Sequence, residues 1–206
     1  MRVRWTALAT LMAVVLLTAA SGFAAKVLFE DKFTTLDPAW GAPSKLITVE
    51  DGKLIITGEK NLADNFLNQA GILPNDMEAS YTMSITNAAN PNYGSGLLFW
   101  ARDYDAWYCI LINANGWFAV QQYTAGRFLL PVSWRESDAI SKGEDRKNEV
   151  KVVTKGNRAT IFVNGKEIIS FTGQPPQGGS LIGFRVTSGP DAPNTVAFSN
   201  FQVVQP

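Results

Sequence analysis

The chain is 206 residues long, 46% hydrophobic and 17% charged, with eighteen basic and eighteen acidic residues, one cysteine and no histidine. The apolar content suffices for one sizeable core without disulfide staples, and zero formal charge leaves no basic footprint for nucleic acid. Without histidine there is no Ser-His-Asp or Cys-His nucleophile system and no imidazole zinc site, so carboxylates, Lys and Tyr are the acid/base groups left.

In chain order, the first element is a leader. Arg2 and Arg4 precede an uncharged stretch from Trp5 to Ala25, whose apolar centre runs from Ala7 to Leu17 and ends in the small residues Thr18 to Gly22. This is the pattern of a secretory signal. Gly22 and Ala24 are small at the spacing signal peptidase requires, which predicts cleavage after Ala24 and a single domain over residues 25–206. An uncleaved anchor is the competing reading, but the strongly apolar part is short for a bilayer. Export implies a secreted or periplasmic protein with no membrane contact after cleavage. Cys109 cannot form an internal bridge and is expected to be buried.

From Lys26 onward no stretch of a dozen residues has helical period, whereas short runs rich in Val, Ile, Phe, Tyr and Thr recur between turn signals. Strands are predicted over 27–33, 46–49, 53–57, 77–85, 96–102, 107–113, 117–124, 128–131, 149–155, 159–163, 167–172, 181–187 and 195–203. Asp51-Gly52, Asn115-Gly116 and Asn164-Gly165 are hairpin dipeptides, and Lys155 to Arg158 brackets another tight turn. Asn61 to Asn75, Asn87 to Tyr93 and Trp134 to Asn148 read as longer polar connections. The expected class is all-β, a two-sheet antiparallel sandwich.

Several segments together carry a family resemblance. They are Phe29 to Phe33 with Trp40 and Asp51 to Leu54; Gly96 to Arg102 followed by Asp103, Asp105 and Trp107-Tyr108; Asn148 to Glu167; and Gly183 to Val203 with Phe198-Ser199-Asn200-Phe201. In this order they resemble the concanavalin A-like lectin/glucanase superfamily, and within it the laminin G-like and 3-keto-disaccharide hydrolase-like bacterial domains. The resemblance implies a jelly roll with one curved sheet, and sugars or proteins bound on the concave face or its rim.

Catalysis is weakly supported by the residues. A family 16 glycosidase would require a Glu-x-Asp-x-x-Glu strand, since retaining chemistry needs two close carboxyl groups. The nearest match, Glu136 with Asp138, lacks the second glutamate and falls in an expected loop. A calcium site at Asp103 and Asp105 is conceivable, but carboxylates flanking a turn ordinarily just initiate it. No metal and no cofactor is assigned.

The most informative feature is a sheet face that should be polar and is not. Leu97, Phe99, Tyr108, Ile110 and Ile112 are expected in the core, which leaves Leu98, Trp100, Trp107, Cys109, Leu111, Phe118 and Val120 on the opposite, concave face. Either loops cover this face, making a second small core, or it is a groove. In the second case Trp100, Trp107 and Phe118 would present aromatic surface to a sugar, with Arg102, Asp103, Asp105, Gln122 and Arg127 as polar specifiers at its edge. Trp117 and Trp134 are weaker candidates. The reading favoured is a non-catalytic carbohydrate-binding module. A hydrolase acting on a glycoside or 3-keto-disaccharide, and a protein-interaction or homodimerisation domain using the concave face, remain alternatives.

Overall fold

A computed structural model describes residues 25–206, so the expected leader lies outside the described residues. Fourteen strands follow in order: β1 (Val27–Asp31), β2 (Ile47–Glu50), β3 (Lys53–Thr57), β4 (Ala63–Leu73), β5 (Met77–Asn87), β6 (Gly96–Asp103), β7 (Ala106–Ile112), β8 (Trp117–Thr124), β9 (Arg127–Glu136), β10 (Asn148–Lys155), β11 (Arg158–Val163), β12 (Lys166–Thr172), β13 (Ser180–Thr187) and β14 (Thr195–Val204). They form two antiparallel sheets. One has eight strands, in the order β12-β11-β10-β5-β14-β3-β2 with β1 also on β14; the other has six, in the order β4-β13-β6-β7-β8-β9.

Two of the three hairpin dipeptides act as their chemistry dictates, whereas in Asn115-Gly116 only Gly116 takes positive φ, within a four-residue connection. Asp51 and Gly52 sit at φ 49° and 71°, and Asn164 and Gly165 at 50° and 78°. Positive φ at both central residues matches the turn to the right-handed twist of the strands it joins. Strict alternation places Met77, Ala79, Tyr81, Met83 and Ile85 of β5 inward.

The core lies between the sheets and centres on Phe184 of β13. Its ring stacks on Phe198 at 4.0 Å and on Trp40 at 5.4 Å, and meets Phe201 at 5.1 Å and Tyr81 edge-on at 5.4 Å. Each such aromatic pair adds about 0.5–1.5 kcal/mol beyond area burial. Trp40 is held in register by its indole N–H, which donates to Asp31 Oδ2 at 2.8 Å.

Two expectations change, besides β9 running on to Glu136 into the segment 134–148 read as a connection. The segment 61–75, read as a loop, contains the eleven-residue strand β4, which pairs with β13 from Ala63↔Thr187 to Leu73↔Ser180. Its Asp64, Asn65, Asn68 and Gln69 hide the alternation, as suits an edge strand with one mixed face. The second change is in β6. Between the pairs Phe99↔Tyr108 and Asp103↔Ala106 the register shifts, and Trp100 takes φ 45°. This bulge turns Phe99 and Trp100 together into the core and puts Ala101 on the outside.

Candidate functional site

The six-stranded sheet turns one face to the core and the other outward. Paired residues share a face, so the ladder Cys109↔Gln121, Leu111↔Ala119 and Trp107↔Tyr123 defines the outer row, while Ile112↔Phe118 and Ile110↔Val120 face inward. The outer face carries its own small cluster of Leu67, Leu98, Ala101, Trp107, Cys109, Leu111 and Leu181, with Tyr123 and Trp134 packed over it. A double-faced apolar sheet is therefore real, and its own large side chains cover much of the second face. Cys109 at the centre is fully buried, which pushes its thiol up to about 12.

One end of this face is open. A groove of about 420 Å³ lies over β4, β13, β7, β8 and β9, floored by Trp107, Tyr123, Phe128 and Arg185 and rimmed by Asn65, Tyr93, Tyr104, Thr187 and Ser188. Tyr123 and Phe128 are cross-strand partners with ring centroids 4.7 Å apart, and Trp107 lies 5.6 Å from Tyr123. The three rings form one aromatic platform tilted at 30–60° between neighbours, whose exposed part is Phe128 with half-buried Tyr123, while Trp107 is almost wholly buried beneath. Two register shifts between β8 and β9 set Phe128 and Trp134 on this side and Val132 on the other.

Arg185 enters the platform from β13. Its guanidinium carbon lies 4.8 Å from the Trp107 ring centroid and 5.7 Å from that of Phe128, and Nη1 donates to Asn65 Oδ1 at 2.6 Å. Asn65 faces it because Arg185↔Asn65 is a cross-strand pair. Burial lowers the pKa of Arg185 from its ordinary value, against the opposing influence of Cys109 and Asp64. It stays cationic, because guanidinium is not deprotonated in proteins.

Buried amides fix the rim. Asn194 Oδ1 accepts from the Asn90 N–H, and Asn194 Nδ2 donates to the carbonyls of Asn90 and Thr187. The segments bearing Tyr93 and Ser188 are thereby tied together. Gly189 passes so close to Asn90 and Tyr93 that a Cβ there would overlap both.

The residues singled out from sequence are dispersed. Trp107 lies in the floor. Trp100 and Phe118, expected on the same face, are in the inter-sheet core together with Val120: the bulge moves Trp100, and the β7–β8 register moves Phe118 and Val120. Arg102 and Gln122 line a neighbouring groove of about 410 Å³, which reaches from Trp100 and Trp107 to Gln174 and Pro175. Asp103 and Asp105 form the β6–β7 turn. Asp103 Oδ1 accepts from the Asp105 N–H at 2.7 Å and Oδ2 from Arg102 Nε at 2.8 Å, a bond that holds its carboxyl below the usual range. Arg127 is exposed at the start of β9, outside both grooves. Glu136 pairs with Lys142, and Asp138 is exposed.

Asn65, Tyr123, Phe128 and Arg185 were missed. Arg185 carried a signal: an arginine at an inward-or-outward position between Phe184 and Val186 in an otherwise apolar strand. Among the described residues no three His, Cys, Asp or Glu side chains gather as metal ligands.

A family model described as 3-keto-alpha-glucoside-1,2-lyase-like domain matches residues 24–204. No curated protein matches. Among solved structures, a protein of unknown function with a galectin-like fold from Bacillus subtilis superimposes with a TM-score of 0.66 at 12% identity, covering 87% of this chain and 96% of its own. A Bacillus licheniformis β-glucanase gives 0.60 at 10% identity, covering 86% and 97%. The carbohydrate binding module CBM66 from Bacillus subtilis gives 0.52 at 15%, covering 79% and 89%. At these identities they show the fold, a concanavalin A-like jelly roll.

Proposed function

Since the chain belongs to the 3-keto-alpha-glucoside-1,2-lyase-like domain family, we propose that it is a carbohydrate-binding module that takes a saccharide into the groove on the outer face of the six-stranded sheet. The observation that carries this is the aromatic platform of Phe128 and Tyr123, backed by buried Trp107, beside a fixed guanidinium. Pyranose C–H faces are apolar and pack on aromatic rings, while hydroxyls need set partners. Asn65, Thr187, Ser188 and Arg185 supply both donors and acceptors around the platform. The carbohydrate binding module among the structural neighbours has the same architecture.

The family description favours a second reading, cleavage of a 3-keto-glycoside. Cleavage needs an acid/base group within hydrogen-bond reach of the reacting atoms. The groove lining contains no Asp or Glu, and the chain no histidine, which leaves Tyr93, Tyr104 and Tyr123. This lining supports binding over turnover. A glycan array followed by a turnover assay on every hit separates the two: binding without product is expected, and release of product from a keto-disaccharide overturns the non-catalytic reading.

We further infer export, with residues 25–206 as one binding domain. Mass spectrometry of protein expressed with its leader should give a new amino terminus at Ala25 or Lys26. An intact Met1 in the membrane fraction contradicts this.

A further inference from the structure

We propose that the groove is built for a saccharide bearing an oxyanion, a carboxylate or a sulfate, held against the guanidinium of Arg185. This rests on the carbohydrate-binding reading and narrows it to a ligand class.

Arg185 is 5% exposed, yet among the described residues no carboxylate lies within ion-pair distance of it. Asp64 is the acid whose charge reaches it, and the Asp64 Oδ2 already accepts from the Glu59 N–H at 2.7 Å. The partner on Nη1 is the neutral amide of Asn65, and Nε is buried with no acceptor at all. Cys109, the other group whose charge would reach it, is a buried thiol pushed up to about 12 and so stays neutral.

A desolvated charge without a counterion is costly, and proteins ordinarily pair it. The rings of Trp107 and Phe128 offset part of that cost through their π faces, but they neutralise nothing. A native chain that keeps a cation so placed at the floor of an open groove presents a site completed from outside. A neutral sugar hydroxyl would satisfy a donor and leave the charge. An oxyanion does both, through charge-assisted bonds about twice as strong as neutral ones. The groove lining carries no acidic side chain to repel it.

The choice between Asn and Asp at position 65 sharpens the argument. Asn65 Oδ1 already sits 2.6 Å from Nη1, so Asn65→Asp would place an internal carboxylate on Arg185 with almost no change in shape. It should raise the melting temperature and remove the site for an external anion together.

The test is calorimetric titration of the protein with two matched pairs: oligogalacturonate against its methyl ester, and sulfated dextran oligosaccharide against plain dextran oligosaccharide. The expected result is that at least one anionic member binds about tenfold or more tightly than its neutral partner, as a charge-assisted hydrogen bond implies, and that added salt weakens it. The pair showing the preference identifies carboxylate or sulfate. In Asn65→Asp the preference should vanish while the protein remains folded and at least as stable. Equal binding of charged and neutral members, or a preference that survives in Asn65→Asp, overturns the proposal while leaving saccharide binding intact. Failure to bind any saccharide on a broad neutral and acidic array overturns the binding reading itself.

Discussion

Phe128 and Trp107 lie side by side in the groove, but Phe128 is 57% exposed and Trp107 only 2%. Phe128→Ala should therefore cost only about 0.5–1.5 kcal/mol of stability, the value of its ring contacts with Tyr123 and Arg185, and weaken a bound saccharide roughly 3- to 10-fold, the value of one aromatic contact; titration alongside thermal melting checks both. Trp100 is the opposite case. It is 1% exposed, with its ring against Tyr108 and Phe171, so Trp100→Ala should cost about 3–5 kcal/mol in denaturant unfolding. Its ring also occupies the space a Cβ on Gly173 would take, at 2.5 Å from the ring edge. Gly173→Ala should accordingly destabilise by about 1–3 kcal/mol through overpacking, although it deletes no contact. An unchanged melting temperature in Gly173→Ala would mean that the Trp100 ring has room to move.

At the scale of elements, most strands could be read from the sequence because β-branched and aromatic runs stand between Asn-Gly and Asp-Gly turns. The face assignments were harder to read, for a local reason. Alternation assigns faces only while the register holds, and β6 and β9 each break it with extra residues. No feature of the run from Gly96 to Arg102 announces that Trp100, a bulky residue, adopts a positive φ there. The groove's polar wall was equally hidden, since Asn65 belongs to β4, whose polar composition reads as loop. The rim segments depend on Asn194 more than on their own contacts. Asn194→Ala removes the acceptor of the Asn90 N–H and the donor to two carbonyls, and should cost about 1–3 kcal/mol for the groups left unpaired. Hydrogen exchange should accelerate around Tyr93 and Ser188 first. Exchange that rises evenly through the molecule would show the two segments are held by something else.

For the molecule as a whole, burial of acidic groups that stay neutral sets its response to alkali. Burial raises Cys109 from its ordinary 9.0 to about 12 and lifts Tyr81 and Tyr108 above 10.0. All three favour the neutral form in the fold. Their contribution is fully present below about pH 9; above it the unfolded chain ionises first, and stability falls until the folded thiol titrates near 12. Thermal melting between pH 8 and 11 should show that decline, and Cys109→Ala should make its first part shallower. A melting temperature independent of pH over this range would contradict the burial of these groups.

The proposed joint role of the outer face as binding surface and small second core can be examined residue by residue in one experiment. Titration of the isotope-labelled protein with a bound saccharide, followed by amide and side-chain resonances, should move the Trp107 indole, the Arg185 guanidinium and the amides of Tyr123 and Phe128. The eight-stranded sheet offers a groove of about 380 Å³ around Thr82, Lys151 and Phe162 on the opposite side of the molecule. Shifts confined to that groove, with Trp107 and Arg185 unmoved at saturation, would contradict a saccharide site on the six-stranded sheet.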